Sequence, residues 1–142
     1  MIAEFRDYLK TLNVADYYYI GKIENSKEKV LGIYANSSTP RVEAVGKGSS
    51  YGTFGVRLLL HWNKNAKDTE IQALSLFDTI RYIQDTDMTH YEDTGDSTDE
   101  PIASTVHVQF IDWDYDTPVF VGTDANGVYE YVITGTIYYK KG

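Results

Sequence analysis

Three histidines, His61, His90 and His107, are the side chains here best suited to metal binding or to proton transfer near neutral pH. They show neither an H-E-x-x-H nor an H-x-H spacing, so no zinc site is expected. His61 and His107 fall in expected strands, and His90 falls in an acidic stretch expected as loop. A second group, Asp112-Trp113-Asp114-Tyr115-Asp116, spaces its carboxylates like the first three ligands of a calcium loop. However, Thr117 stands where that loop needs glycine and Thr123 where it needs glutamate, which favours solvated carboxylates at a strand end over a cation site. Asp93, Asp96, Asp99 and Glu100 read in the same way, as a solvated charged loop. A carboxylate pair for glycoside hydrolysis can be drawn from either group, but any acidic chain of this size supplies one. There is no G-x-S-x-G, and Gly46-Lys47-Gly48-Ser49-Ser50 lacks the upstream glycine of a P-loop, so it reads as a flexible loop. The absence of cysteine removes thiolate metal sites, a cysteine nucleophile and disulfides together, and suits a cytosolic protein. The expectation is a chain with no catalytic residue, no metal and no cofactor.

The elements that would position such groups are easier to read. From Gly55 to Ile83 an apolar strand passes through a polar turn into an amphipathic helix. Val56, Leu58 and Leu60 point to one face of a sheet and Arg57, Leu59 and His61 to the other. Asn65 is placed to cap a helix starting near Ala66, with Asp68 and Glu70 near its positive end. Ala73, Leu76, Phe77, Ile80 and Ile83 form the apolar stripe, flanked by Ile71 and Leu74. Upstream, Ile2, Phe5, Leu9 and Leu12 predict a first helix that ends at Asn13. Tyr17 to Ile23 and Lys29 to Ala35 read as two strands of a hairpin. After the second helix, β structure returns at Ala103 to Asp112, Val119 to Gly122 and Val128 to Tyr139. The turn Asp124-Ala125-Asn126-Gly127 closes a hairpin there. The last strand leaves open which of its two faces is buried. The expected fold is α+β: a mainly antiparallel sheet of about five to six strands with two helices packed on one face.

Length and charge bound the class. At 142 residues, one domain spanning 1–142 is expected, with long loops at about 36–55 and 84–101. A formal net charge of -8 argues against sequence-specific nucleic-acid binding, which draws its affinity from basic residues. The N-terminal stretch MIAEFRDYLK is charged, and no apolar run approaches the roughly 20 residues a bilayer needs, so neither a signal peptide nor a membrane span is expected. The 13 tyrosines group in expected strands, where they are either half-exposed sheet positions or subunit contacts. The loop from Asn36 to Gly55 carries Arg41, Val42, Tyr51 and Phe54, which a purely solvated linker would not need. Trp62 and Trp113, at strand ends, are either core edges or interface anchors. These six residues are the candidate interface.

Several of these stretches carry a family resemblance: Asp7-Tyr8-Leu9-Lys10-Thr11-Leu12-Asn13 at the end of the first helix, Tyr19-Ile20-Gly21-Lys22, and Gly32-Ile33-Tyr34. Above all, the strand Val56-Arg57-Leu58-Leu59-Leu60-His61-Trp62 leads to Thr69-Glu70 and Phe77-Asp78. Met1 to Ile83 thereby resembles the minor capsid or tail-terminator proteins of siphophages infecting Gram-positive bacteria, with a weaker echo in the C-terminal strands. The resemblance implies a structural, non-enzymatic role without cofactors. The subunit would form a homo-oligomeric ring, commonly a hexamer, on the head-proximal end of the tail tube, touching the tail tube protein and the head connector or stopper. It would reside in the virion neck after assembly in the host bacterial cytoplasm. The alternatives are a head-completion or connector protein of similar fold, a carbohydrate or surface binding module built on Tyr, Trp and Asp, and a small enzyme using paired carboxylates.

Overall fold

Phe5 and Leu9, four residues apart, lie on one stripe of helix α1 (Ile2–Thr11) and are fully buried. Asn13 ends the helix region in the left-handed conformation, at φ 54°. The computed structural model describes residues 1–36, 52–92 and 102–141. After α1 follow β1 (Tyr17–Ile20), β2 (Val30–Ala35), β3 (Gly52–His61), α2 (Ala66–Ile80), β4 (Gln84–Glu92), β5 (Ile102–Trp113), β6 (Val119–Thr123) and β7 (Tyr129–Lys141).

The described strands form one mixed, largely antiparallel seven-stranded sheet in the order β1-β2-β3-β7-β5-β4. Strand β6 pairs with β7 as well, along residues that β5 leaves free. The fold is α+β. Val56, Leu58 and Leu60 on β3 meet Leu31 and Ile33 on β2 and Ile133 and Ile137 on β7. Val106, Val108 and Ile111 of β5 join them in one core. Phe5 and Leu9 of α1 and Ala73, Leu76, Phe77 and Ile80 of α2 enter that same core, so both helices cover one face of the sheet. On β7 the structure selects the face carrying Tyr131, Ile133, Gly135, Ile137 and Tyr139 for burial.

Helix α2 begins as the sequence predicts. Asn65 sits in extended backbone and its Oδ1 accepts a hydrogen bond from the Asp68 amide at 3.0 Å, satisfying one of the helix's otherwise unpaired N–H groups. Replacing Asn65 with alanine should cost about 1 kcal/mol of stability, read as a shifted urea midpoint at unchanged slope.

Three sequence expectations are corrected. Strands β1 and β2 are not a hairpin but run parallel, with Tyr17 opposite Val30 and Ile20 opposite Ile33. Between them the chain doubles back through Gly21 at φ 75° and Lys29 at φ 59°. The alternation of side chains is the same for either strand sense, so the pattern could not distinguish the two. Residues 84–92, expected as acidic loop, form β4 along β5, and His90 lies on that strand. As a sheet-end strand, β4 buries only Met88 and keeps exposed carboxylates at Asp85, Asp87 and Glu92, so its polarity concealed it. Strand β3 starts at Gly52, which shortens the expected 36–55 loop.

Candidate functional site

All three histidines are held between carboxylates. His61 Nδ1 lies 3.0 Å from Glu130 Oε2, His90 Nδ1 2.6 Å from Asp7 Oδ2, and His107 Nδ1 2.7 Å from Asp87 Oδ1. In each case a second carboxylate stands 3.7 Å from Nε2: Asp124, Glu92 and Asp85 respectively. These pairs fasten elements together, β3 to β7, β4 to α1, and β5 to β4. No motif spacing could have found them, because the partners lie 69, 83 and 20 residues apart. Among the described residues no group of three or more His, Cys, Asp or Glu side chains is arranged to hold a metal ion.

Carboxylate chemistry follows the same partners. Burial works to raise the Asp7 carboxyl, but hydrogen bonds from His90 and Arg6 and the charges on both outweigh it and hold the group below its usual range. At Asp124 burial again opposes ionisation. The Val128 and Asn126 amides, with the charges of His61 and Lys64, prevail and keep the pKa low. Depressed carboxyls contribute stability that is fully present above their unfolded-state range near pH 4 and is lost as pH falls through the folded values. Urea midpoints measured downward from about pH 5 should therefore fall, and Asp7→Asn should flatten that fall.

Exposed apolar side chains are scattered over several elements, among them Ile71 and Leu74 of α2, and β6 carries three in succession. Val119, Phe120 and Val121 of β6 are 39%, 53% and 52% exposed, and the strand carries no charged residue. Phe120 leans on Tyr131 and Tyr129, with ring centroids 5.3 and 6.1 Å away. Strand β6 is fixed from its C-terminal end. Asp124 Oδ1 accepts the Asn126 and Val128 amides at 2.9 Å each, Gly127 turns at φ 83°, and the Tyr129 amide donates to the Asn63 carbonyl at 2.9 Å. The strand is thus presented rigidly, with one backbone edge paired to β7. On its N-terminal side stand Asp112, Asp114 and Asp116, all exposed and without an ion pair among the described residues.

Of the sequence-nominated interface residues, Arg41, Val42 and Tyr51 lie outside the described residues. Phe54 is half-buried on β3 and packs on the core. Trp62 follows β3, half-buried against the core with the Lys29 ammonium 5.8 Å from its ring. Trp113 ends β5 and meets Phe77 edge-on at 6.1 Å. Phe54, Trp62 and Trp113, the three nominated residues that are described, each pack against the core at a strand position or strand end. Sequence reading passed over Phe120, although three successive apolar residues in a short strand bounded by Pro118 and Gly122 were a usable signal. Two open recesses lie beside the connection between β1 and β2. One of about 360 Å³ is lined by Tyr19, Lys22, Ile23 and Glu24, and one of about 230 Å³ by Asn25, Ser26, Glu28, Lys64, Asn126 and Val128.

No protein-family model matches the chain, and no curated protein matches it significantly.

Proposed function

We propose that this chain is a structural subunit of phage assembly, a tail terminator that forms a ring on the head-proximal end of the tail tube and helps join tail to head. The observation that carries the reading is the rigidly held, uncharged and exposed strand β6 on a sheet whose β4 end is guarded by Asp85, Asp87 and Glu92. Edge strands without charge invite pairing with another chain, and lasting exposure of such an edge carries a risk of aggregation. The resemblance across Met1 to Ile83 adds the kind of assembly, and the α+β sheet with helices on one face is the architecture that resemblance implies. Self-contacts, the tail tube protein and the head connector or stopper are the partners of this role.

The test is genetic. Deleting the gene from its phage should give tails of unregulated length that fail to join heads, as seen by electron microscopy, and normal tails on intact virions would end the reading. An acidic ring around a DNA channel should also repel the phosphate backbone. With a net charge of -8, the purified protein should give no mobility shift with duplex DNA at physiological salt. Tight, salt-sensitive binding would contradict the acidic channel.

A further inference from the structure

Asn126 and Gly127 form the one Asn-Gly step in the chain, and it lies in the turn that joins β6 to β7. An asparagine followed by glycine is chemically labile, because the glycine nitrogen, with no side chain beside it, can reach the asparagine side-chain carbonyl. Here both partners are open. Asn126 is exposed, its side chain makes no hydrogen bond with the described residues, and it lines an open recess of about 230 Å³. Apart from its chain neighbours, nothing stands within 4 Å of where a Cβ on Gly127 would lie. The other asparagines are better protected. Asn13 precedes the branched Val14, and Asn63 and Asn65 each use Oδ1 to accept hydrogen bonds at the start of α2. Asn25 and Asn36 precede serines, whose side chains crowd the nitrogen.

We infer that Asn126 is a modification site, at which the chain converts spontaneously to isoaspartate at a rate set by Asp124. First the Gly127 amide gives its proton to hydroxide, its nitrogen attacks Asn126 Cγ, and the Cγ–Nδ2 bond breaks to release ammonia. The product is a five-membered succinimide. Water then opens that ring. Breaking the bond from the nitrogen to the backbone carbonyl carbon leaves isoaspartate, and breaking the bond to Cγ leaves aspartate. One water is consumed and one ammonia released, with nothing oxidised or reduced.

Asp124 opposes the first step in three ways. Its carbonyl accepts the Gly127 N–H at 3.1 Å, which holds the proton that must leave. Its Oδ1 accepts the Asn126 and Val128 amides at 2.9 Å each, which fixes the backbone on both sides of the reacting nitrogen. Its carboxylate charge also disfavours an anion on that nitrogen. Local opening of the turn releases all three restraints together, so the conversion rate reports that opening.

Conversion changes the backbone as well as the charge. Isoaspartate adds one methylene to the main chain between residues 126 and 127, so Asp124 Oδ1 no longer matches the spacing of the two amides it accepts. Val128, buried behind the turn, and β6 ahead of it then lose a common anchor. Val119, Phe120 and Val121 are all exposed, so β6 depends on this turn and on its pairing with β7. The inference is independent of the assembly reading.

The folded protein is incubated in mildly alkaline buffer. Isoaspartate is read by peptide mass spectrometry and by methyl transfer from an isoaspartyl methyltransferase. It should accumulate at residue 126 ahead of every other asparagine, and more slowly than in the urea-unfolded chain. Asn126→Gln, which would have to close a six-membered ring, should lose the signal with circular dichroism unchanged. Asp124→Ala should speed conversion by about tenfold, the factor that one to two lost hydrogen bonds give, and Asp124→Asn, which keeps an acceptor, by less. The converted protein, separated by its added negative charge, should be cut by chymotrypsin after Phe120 at least about tenfold faster than the parent. Asn126→Asp adds the charge without the methylene and should be cut at the parent's rate. A folded chain whose Asn126 stays intact while the urea-unfolded chain converts overturns the site. An unchanged rate in Asp124→Ala overturns the control by Asp124. Equal cleavage of the converted protein and of Asn126→Asp overturns the loosening of β6.

Discussion

Replacing His61 with alanine is expected to lower the unfolding free energy by about 2–4 kcal/mol, among the largest single losses this chain can suffer. His61 is fully buried although it lies on the sheet face opposite Val56, Leu58 and Leu60. Truncation leaves a cavity between Val30 and Glu130, its neighbours in register. It also strands two carboxylates. Glu130 loses its 3.0 Å partner, and Asp124, whose Oδ2 is buried without a hydrogen bond, loses the imidazole standing 3.7 Å away. Glu130→Gln keeps an acceptor for Nδ1–H and should cost only about 1 kcal/mol. Urea unfolding of both variants checks the pair. An alanine variant as stable as the parent would mean that the two carboxylates need no partner from His61.

Gly135→Val should cost about 3 kcal/mol, and Gly135→Ala less. Gly135 lies on the buried face of β7 opposite Trp113, and a Cβ there would stand 2.7 Å from Trp113 Cε3 and 2.9 Å from the Asp112 carbonyl oxygen. The indole can swing away, but the carbonyl belongs to the β5–β7 ladder and yields only if the strands separate. Trp113 in turn packs edge-on against Phe77 of α2, so the disturbance should reach the helix layer. Thermal unfolding gives the loss. On a Trp113→Ala background the penalty of Gly135→Ala should shrink, since the two sites share one contact. An undiminished penalty would assign the whole clash to the backbone.

Much of this fold was legible in the residues. The alternation in β3 and the stripe of α2 report which side of each element meets the core, because period two and period 3.6 are properties of the local backbone. Asn65 as a cap and Asp124-Ala125-Asn126-Gly127 as a hairpin turn were equally readable, since their hydrogen bonds close within a few residues. Strand β4 was not, because a strand at the end of a sheet may be polar on nearly every side chain, and a lone Met88 leaves no period to detect.

The candidate site divides the same way. The sequence by itself determined the helices, the turns, most strands and the apolar run of β6, each from interactions between near neighbours. Only the tertiary structure decided that β1 and β2 run parallel, that one face of β7 is buried, and that each histidine meets its carboxylates. Those facts depend on which distant strands pair and in what register. Side-chain alternation has the same period whichever partner is chosen, so no local pattern encodes that choice.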